Sequence, residues 1–440
     1  MQAITAITTL LAALTLGNGT AIAGKTFTGD TSAKSLSQQG SAPAPATTPT
    51  PTPSELSNSA RLREEIKVLE NLLSPAQPSG FSDRGAALYL LADNYLALGD
   101  RARALALLEE CAKLDEGFDP GDDPGFAPLK NDRAFRALVA QVRQRYPSVH
   151  RAHLAFTVAQ NDLIPEGLDV DAAKRVFYMS SMRLKKIVKI TEKGEVADFV
   201  RSDQYDLMPI LGVHIDPADH GVWCATYPGV KNRGELVHFD EQGQLLERYS
   251  PPGPGPHSLN DLVLRDKRVI YVTDTQGNRV YRFDRSLRRF AELKLSRRLF
   301  WPNGITLSND GNVLYIADLL GVVRLDLRTN ESDDVIPAPH DSLAGIDGLY
   351  WYNGSFVGVQ YGTGANRVMR WKLTPDGRRV ASSETLESGT ELVKDPSTGA
   401  ILDDQFYFMA NTGIANMDKG GNIVDEKKLE PLHFAIVPLK

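Results

Sequence analysis

The sequence predicts an all-β, six-bladed β-propeller preceded by a small all-α module with tetratricopeptide-like spacing. Three observations carry that expectation. Six segments of similar pattern recur at intervals of 43 to 51 residues after residue 160. Each is followed roughly ten residues later by a second short apolar run. Ahead of them, residues 57–148 place apolar side chains at helical rather than strand spacing. A repeat of about 40 to 50 residues holding four short strands is the sequence mark of a propeller. A chain of 440 residues is also too long for one ordinary compact domain unless most of it is a single repeat unit.

Composition narrows the function classes. Hydrophobic residues make up 42% and charged residues 24%, which permits a large core and excludes global disorder. Net charge is −6, from 49 basic and 55 acidic side chains, and gives no footprint for nucleic acid or an anionic membrane. Two cysteines, Cys111 and Cys224, are too few for a disulfide framework or a thiolate zinc cage. They fall in different units, so no bridge is expected.

At the N-terminus, Ala3 to Leu16 is apolar or threonine-rich, and Ala21-Ile22-Ala23 is a small-x-small site before Gly24. Residues 1–23 therefore read as a cleaved export signal, although a basic leader is missing, and place the mature protein in the periplasm or the medium. No later stretch reaches the ~18 apolar residues of a membrane span. Residues 24–56 form a linker in which proline alternates with small residues, favouring an extended, semi-rigid chain.

The helical module, 57–148, opens with Leu62, Ile66, Leu69 and Leu73 on one stripe of a helix over 60–73. Helices over 86–98 and 101–114 flank the turn Gly99-Asp100. Within them Leu88, Leu91, Ala92, Tyr95, Ala104, Leu108 and Cys111 resemble a tetratricopeptide unit in spacing. A fourth helix covers 132–145. One such unit is short of the three or more that make a free-standing solenoid. The module is therefore expected to pack on the main domain and to be dispensable for its fold, with a protein partner as a further role.

The propeller is assigned to 150–440. Its aligned segments are Glu166-Gly-Leu-Asp, Leu211-Gly-Val-His, Asn260-Asp-Leu-Val, Asn303-Gly-Ile-Thr, Asp347-Gly-Leu-Tyr and Thr398-Gly-Ala-Ile. Ala152 to Ala159 precedes the first repeat and His433 to Pro438 ends the last, so their pairing would close the ring and leave no bare sheet edge. The first residue of each segment begins the innermost strand, and these six positions ring the channel mouth. A purely packing role would favour apolar residues there. Two carboxylates and two carboxamides, Glu166, Asp347, Asn260 and Asn303, instead make an oxygen-rich cage of charge about −2, which calls for a cation. Hard oxygen donors suit calcium, magnesium or manganese.

With these motifs, Pro165-Glu166-Gly167, Leu259-Asn260-Asp261, Pro302-Asn303-Gly304 and Ile346-Asp347-Gly348, residues 158–440 resemble the senescence marker protein, gluconolactonase and luciferin-regenerating enzyme family of six-bladed propellers, relatives of the paraoxonases. The resemblance implies that Glu166, Asn303 and Asp347 hold one divalent cation, usually calcium or zinc, with Asn260 beside metal and substrate. It implies hydrolysis of a small-molecule lactone or ester. In that role Asp347 is the expected general base and Asn260 orients the carbonyl or binds the oxyanion. Members acting on sugar lactones place an arginine two residues before the asparagine. Ser258 stands there in this chain, and with Leu211, Phe300 and Trp301 beside the site a more apolar lactone is expected.

Among the histidines, His257 in a Pro-Gly-rich loop on the same rim is either a proton shuttle or a solvated loop residue. His214 reads as a packed, hydrogen-bonded residue, and His340 as a polar-loop residue within reach of the mouth. Asp274 and Asp318, which end second strands, read as turn caps. The competing function is a non-catalytic or strictosidine synthase-like propeller with a structural metal, serving binding or assembly. A ring of four side chains converging on an open point favours the hydrolase, and a closed cage favours the alternative.

Overall fold

The structure is a computed structural model and describes residues 53–74, 83–228, 233–361, 366–418 and 421–440. The export signal read at 1–23, and the linker as far as residue 52, lie outside the described residues. Six antiparallel sheets follow the helices. They form blades spanning 165–200, 210–249, 259–292, 305–334, 346–388 and 399–438. The first strands touch one another in order around the centre, Pro165–Asp171 against Ile210–Ile215 and so on back to Gly399–Leu402. The protein is a six-bladed β-propeller.

Each blade presents both faces to a neighbour, so its strands have no solvated side to alternate with. In the second strand of blade 1, Phe177 and Met179 enter the core shared with blade 6 while Tyr178 enters the core shared with blade 2. The same division around the ring gives six separate inter-blade cores. Continuous apolar runs such as Ile270-Tyr-Val are the sequence consequence. Cys224 lies in the core between blades 1 and 2 and Cys111 in the core of the helices.

The ring closes by a strand from its own beginning. His153–Val158 pairs antiparallel with Leu432–Pro438, forming the outermost strand of blade 6. Phe156 stacks on Phe434 with centroids 4.5 Å apart. Just before it, Val149–His150 adds a short fifth strand to blade 5.

Four helices precede the ring: α1 (Pro53–Leu73), α2 (Arg84–Ala97), α3 (Arg101–Leu114) and α4 (Arg133–Arg145). Asp83, Asp100 and Asp132 cap the last three by accepting N–H bonds from their first turns. The first helix begins at Pro53, ahead of the stripe that marks it in sequence, because proline is tolerated in a first turn.

The helices rest on the propeller. Their core is continuous with Phe300, Leu320 and Ala344 from loops on the rim of blades 3 to 5. Asp83, besides capping α2, accepts bonds at one oxygen from the Ser342 hydroxyl (2.7 Å) and the Leu343 N–H (3.0 Å). Ser148 donates to the Gly389 carbonyl at 3.0 Å. His340 is exposed and contacts the Leu114 carbonyl at 3.3 Å. It is therefore turned to the helices, and the reach toward the channel mouth expected of it is not seen.

A fragment comprising 150–440 keeps the four main strands of every blade, the closing strand among them, but cuts the short Val149–His150 strand and uncovers Phe300, Leu320 and Ala344. It is expected to fold with a thermal midpoint roughly 5 °C below that of the full chain, from loss of about 2–3 kcal/mol of apolar burial. Calorimetry of both chains checks this, and a fragment that does not fold would show the helices to be part of the core.

Two buried carboxyl groups at this interface make docking pH-dependent. Burial raises Asp83 to about 6, against the lowering effect of its bonds to Ser342, Ala86 and Leu343. Burial and the neighbouring Asp83 raise Glu116 to about 8, and its Oε2 is buried without a partner among the described residues. Both keep protons when folded at pH values where the unfolded chain has lost them. Their stabilisation is complete below about pH 4 and is lost as pH rises through 6 to 8. Melting temperature should fall between pH 5 and pH 8.5, and Glu116→Gln should make that fall smaller, measured by calorimetry across the range.

Candidate functional site

The innermost strands are irregular where the ring residues sit. Register slips between Pro165 and Leu168, Ile210 and Val213, Leu259 and Leu262, and Ile346 and Leu349, so a bulge lies at each of Glu166, Leu211, Asn260 and Asp347. A bulge re-aims a side chain that regular pleating would direct elsewhere. In blades 4 and 6, Asn303 and Thr398 stand just ahead of their short first strands. The glycine that follows most ring residues is needed for close packing of backbones. A Cβ on Gly167 would lie 2.2 Å from the Leu211 carbonyl oxygen, and one on Gly304 2.6 Å from that of Asp347.

Two of the expected ligands are bonded directly, and Ser397 connects a third through its backbone. The Asn303 amide donates to Asp347 Oδ1 at 2.5 Å. Ser397 donates to Asp347 Oδ2 at 3.1 Å and is 3.2 Å from the Glu166 carbonyl, which Thr398 also holds at 2.5 Å. Asn260 joins through Thr275: its amide donates to the Thr275 hydroxyl (3.0 Å), which donates to the Pro302 carbonyl (2.7 Å) beside Asn303. Among the described residues no three His, Cys, Asp or Glu side chains form a metal cluster, so a cation here would depend on the carboxamides.

The ring is dry. Glu166, Asn260 and Asp347 are 2%, 1% and 6% exposed, and of the six positions only Asn303 is more than slightly exposed. Burial raises Asp347 to about 6 despite its bonds to Ser397 and Asn303. Burial, then the charges of Asp347 and Asp261, push Glu166 well above the usual carboxylate range. Its Oε2 is buried with no hydrogen-bond partner among the described residues.

Above the ring lies an apolar cluster of Ile164, Met182, Leu211, Tyr227, Tyr361, Ile414 and Met417, with Trp301 packed against it. Leu211 and Trp301 thus pack in one apolar cluster, while Phe300 packs on the helices. Ser258 is fully buried, with its hydroxyl unpartnered among the described residues. His257 departs from the solvated-loop alternative. It is 1% exposed, and its Nδ1 lies 2.7 Å from Asp274 Oδ2, while Asp274 Oδ1 accepts N–H bonds from Ser258 and Gly277. Asp318 caps Leu320 and holds Arg297 in the same way. His214 lies 3.4 Å from Asp169 on the neighbouring first strand and keeps a third of its side chain exposed, so it is less packed than expected.

Asp261, Ser397 and Thr275 were not foreseen. Asp261 occupies the position that is glycine in the other five segments, which is a signal present in the alignment itself. Its oxygens accept N–H bonds from Leu262 and from Ile305 of the next blade, and burial raises it to about 7. Ser397 and Thr275 lie outside the repeated motif, and nothing in their spacing marks them.

No protein-family model and no curated protein sequence matches this chain. Solved structures of similar architecture include a gluconolactonase from Xanthomonas campestris, at 15% identity and a TM-score of 0.48 over 67% of this chain and 98% of that one. A quinone-bound aldose sugar dehydrogenase from Streptomyces coelicolor gives 14% and 0.48, over 66% and 99%. A luciferin-regenerating enzyme gives 13% and 0.44, over 66% and 95%. The likeness is one of propeller architecture.

Ser397→Ala removes the hydroxyl that holds Asp347 to the Glu166 backbone. It should cost about 1–2 kcal/mol in urea unfolding, the usual loss for a buried bond to a carboxyl group. Carboxyl NMR titration should place Asp347 above its present value of about 6, because that bond lowers it.

Proposed function

We propose that the chain hydrolyses lactones or related esters with the help of one divalent cation held by Glu166, Asn303 and Asp347, with Asn260 alongside. Calcium is the first choice, and zinc, manganese or magnesium are alternatives. The observation that supports this most is the buried Glu166 carboxylate, which has one oxygen without a donor and a second buried carboxylate nearby. A hard cation would satisfy both, and the donor set is all oxygen. A half-turn of the Asn303 amide exchanges the nitrogen now bonded to Asp347 for an oxygen, so the same side chain suits both states.

When bound, the cation would polarise the ester carbonyl and acidify a water molecule. Asp347 is the base. Asn303 and Ser397 fix its carboxylate at both oxygens. Asn260 uses one amide N–H on Thr275 and keeps a second for the developing oxyanion. Leu211 and its apolar neighbours exclude water and favour an apolar substrate over a sugar acid. Burial of the ring favours a second reading, in which the cation is structural and the propeller serves binding or assembly.

Asp347→Asn keeps an oxygen ligand and removes the base. It should retain part of the metal, lose roughly 10²–10⁴-fold in turnover and fold normally. Leu211→Ala should be mild for rate. Metal content by mass spectrometry and a panel of lactones and esters, with each cation or a chelator, decide between the readings. Full activity in the Asn variant, or in metal-free wild type, refutes the mechanism. Bound metal with no turnover of any panel member supports the structural reading.

A further inference from the structure

A cleft of about 1030 Å³ separates the helices from blades 1, 5 and 6. That is the upper end of the range for small-molecule sites. One wall comes from the segment around α4, with Asp122, Arg143 and Tyr146. The other comes from the propeller, largely from the long connection at 410–431 inside blade 6. The floor is apolar and buried: Leu163, Ile164, Pro165, Tyr361, Val393 and Leu432. The rim is charged and exposed, with Asp122, Arg143, Lys394, Lys427, Lys428 and Glu430.

The floor of the cleft and the ring share an apolar cluster. Ile164 and Tyr361 line the cleft and also pack with Leu211, a ring position. Pro165 directly precedes Glu166. The Tyr361 hydroxyl donates to Asp395 at 2.7 Å, and the Asp395 charge reaches Asp347. The segment 411–417 belongs to the propeller wall of the cleft and also joins the cluster around Leu211. Its Thr412, Ala415 and Asn416 face the cleft, and its Ile414 and Met417 join the cluster over the ring. Asn411 and Asn416 hold that wall in place, each using both ends of its amide, on Pro431 and His433 and on Asp425. Three acidic residues, Asp119, Asp123 and Asp395, also line the cleft, and each is already engaged within the protein, by Arg143, Tyr89 and Tyr361.

We infer that this cleft is the substrate chamber and that it takes amphipathic esters or lactones, with the apolar body on the floor and the polar end at the charged rim. The helical module is then one side of the binding site. This rests on the hydrolase reading above and adds to it the class of substrate and the place where it binds.

The test uses the full chain with anilinonaphthalene sulfonate as the binding probe and nitrophenyl acetate and octanoate as esters. Ala415→Trp fills the chamber from the propeller side and Asp122→Trp from the helical side. Both positions are exposed, the Asp122 side chain 82% so, and neither substitution enters a core. Each should weaken probe binding about tenfold and raise KM for octanoate about tenfold relative to acetate, with the melting temperature little changed. If one variant fails to fold, the other decides alone. Wild-type probe affinity in a folded variant overturns the inference. Hydrolysis with an unchanged ratio of KM values overturns the chamber and leaves the hydrolase reading standing. Weakened probe binding with no ester turned over by the wild type keeps a ligand chamber and removes the hydrolase.

Discussion

Everything in this molecule depends on a ring that must close on itself. A propeller blade has no solvated face, so an open ring would expose two apolar sheet faces as well as an unpaired edge. The antiparallel pairing of His153–Val158 with Leu432–Pro438, reinforced by the stacked Phe156 and Phe434, prevents both. With the ring closed, six first strands are held in contact at the centre, and residues far apart in sequence become neighbours. Glu166 and Asp347 lie on opposite sides of the repeat order, yet Ser397 bridges the backbone of one and the side chain of the other.

Closure also concentrates charge. Glu166, Asp261 and Asp347 are brought into a dry space, where desolvation holds all three above their ordinary range. Such an arrangement destabilises the fold unless something compensates. Internal donors do so in part: Asn303 and Ser397 for Asp347, and the N–H groups of Leu262 and Ile305 for Asp261. Glu166 has none at Oε2. The imbalance is local to the ring, and it is the feature on which the proposed cation site rests.

The fold was legible because period is a global property. Six segments in register survive local irregularity, and the closing strand could be inferred from a segment without a blade of its own. The ring residues were legible for the same reason, since each begins a repeat. What could not be read depends on contacts between repeats. Ser397 and Thr275 act across blade boundaries, and His257 is paired with an aspartate of the neighbouring strand that looks like a turn cap in sequence. Asp261 was visible as a break in a column of glycines, but its environment was not. The bulges that aim Glu166, Leu211, Asn260 and Asp347 leave no mark in apolar alternation. The seating of the helices on Phe300, Leu320 and Ala344 was equally hidden, because these residues sit in loops whose sequence looks like ordinary connection.

The order of strands in blade 6 has a consequence for how the chain is made. Its outermost strand is synthesised before any blade, and the strand that receives it is the last strand of the ring. On a ribosome, or while threading through any pore from the N-terminal end, five blades can assemble in turn while the first strand waits without a partner. The ring cannot shut until Leu432–Pro438 has been made. Premature termination anywhere upstream of Leu432 therefore leaves a molecule with an exposed β-edge at each side of the gap. Such a product is a ready template for pairing with other chains, so quality control of this protein is written into its topology.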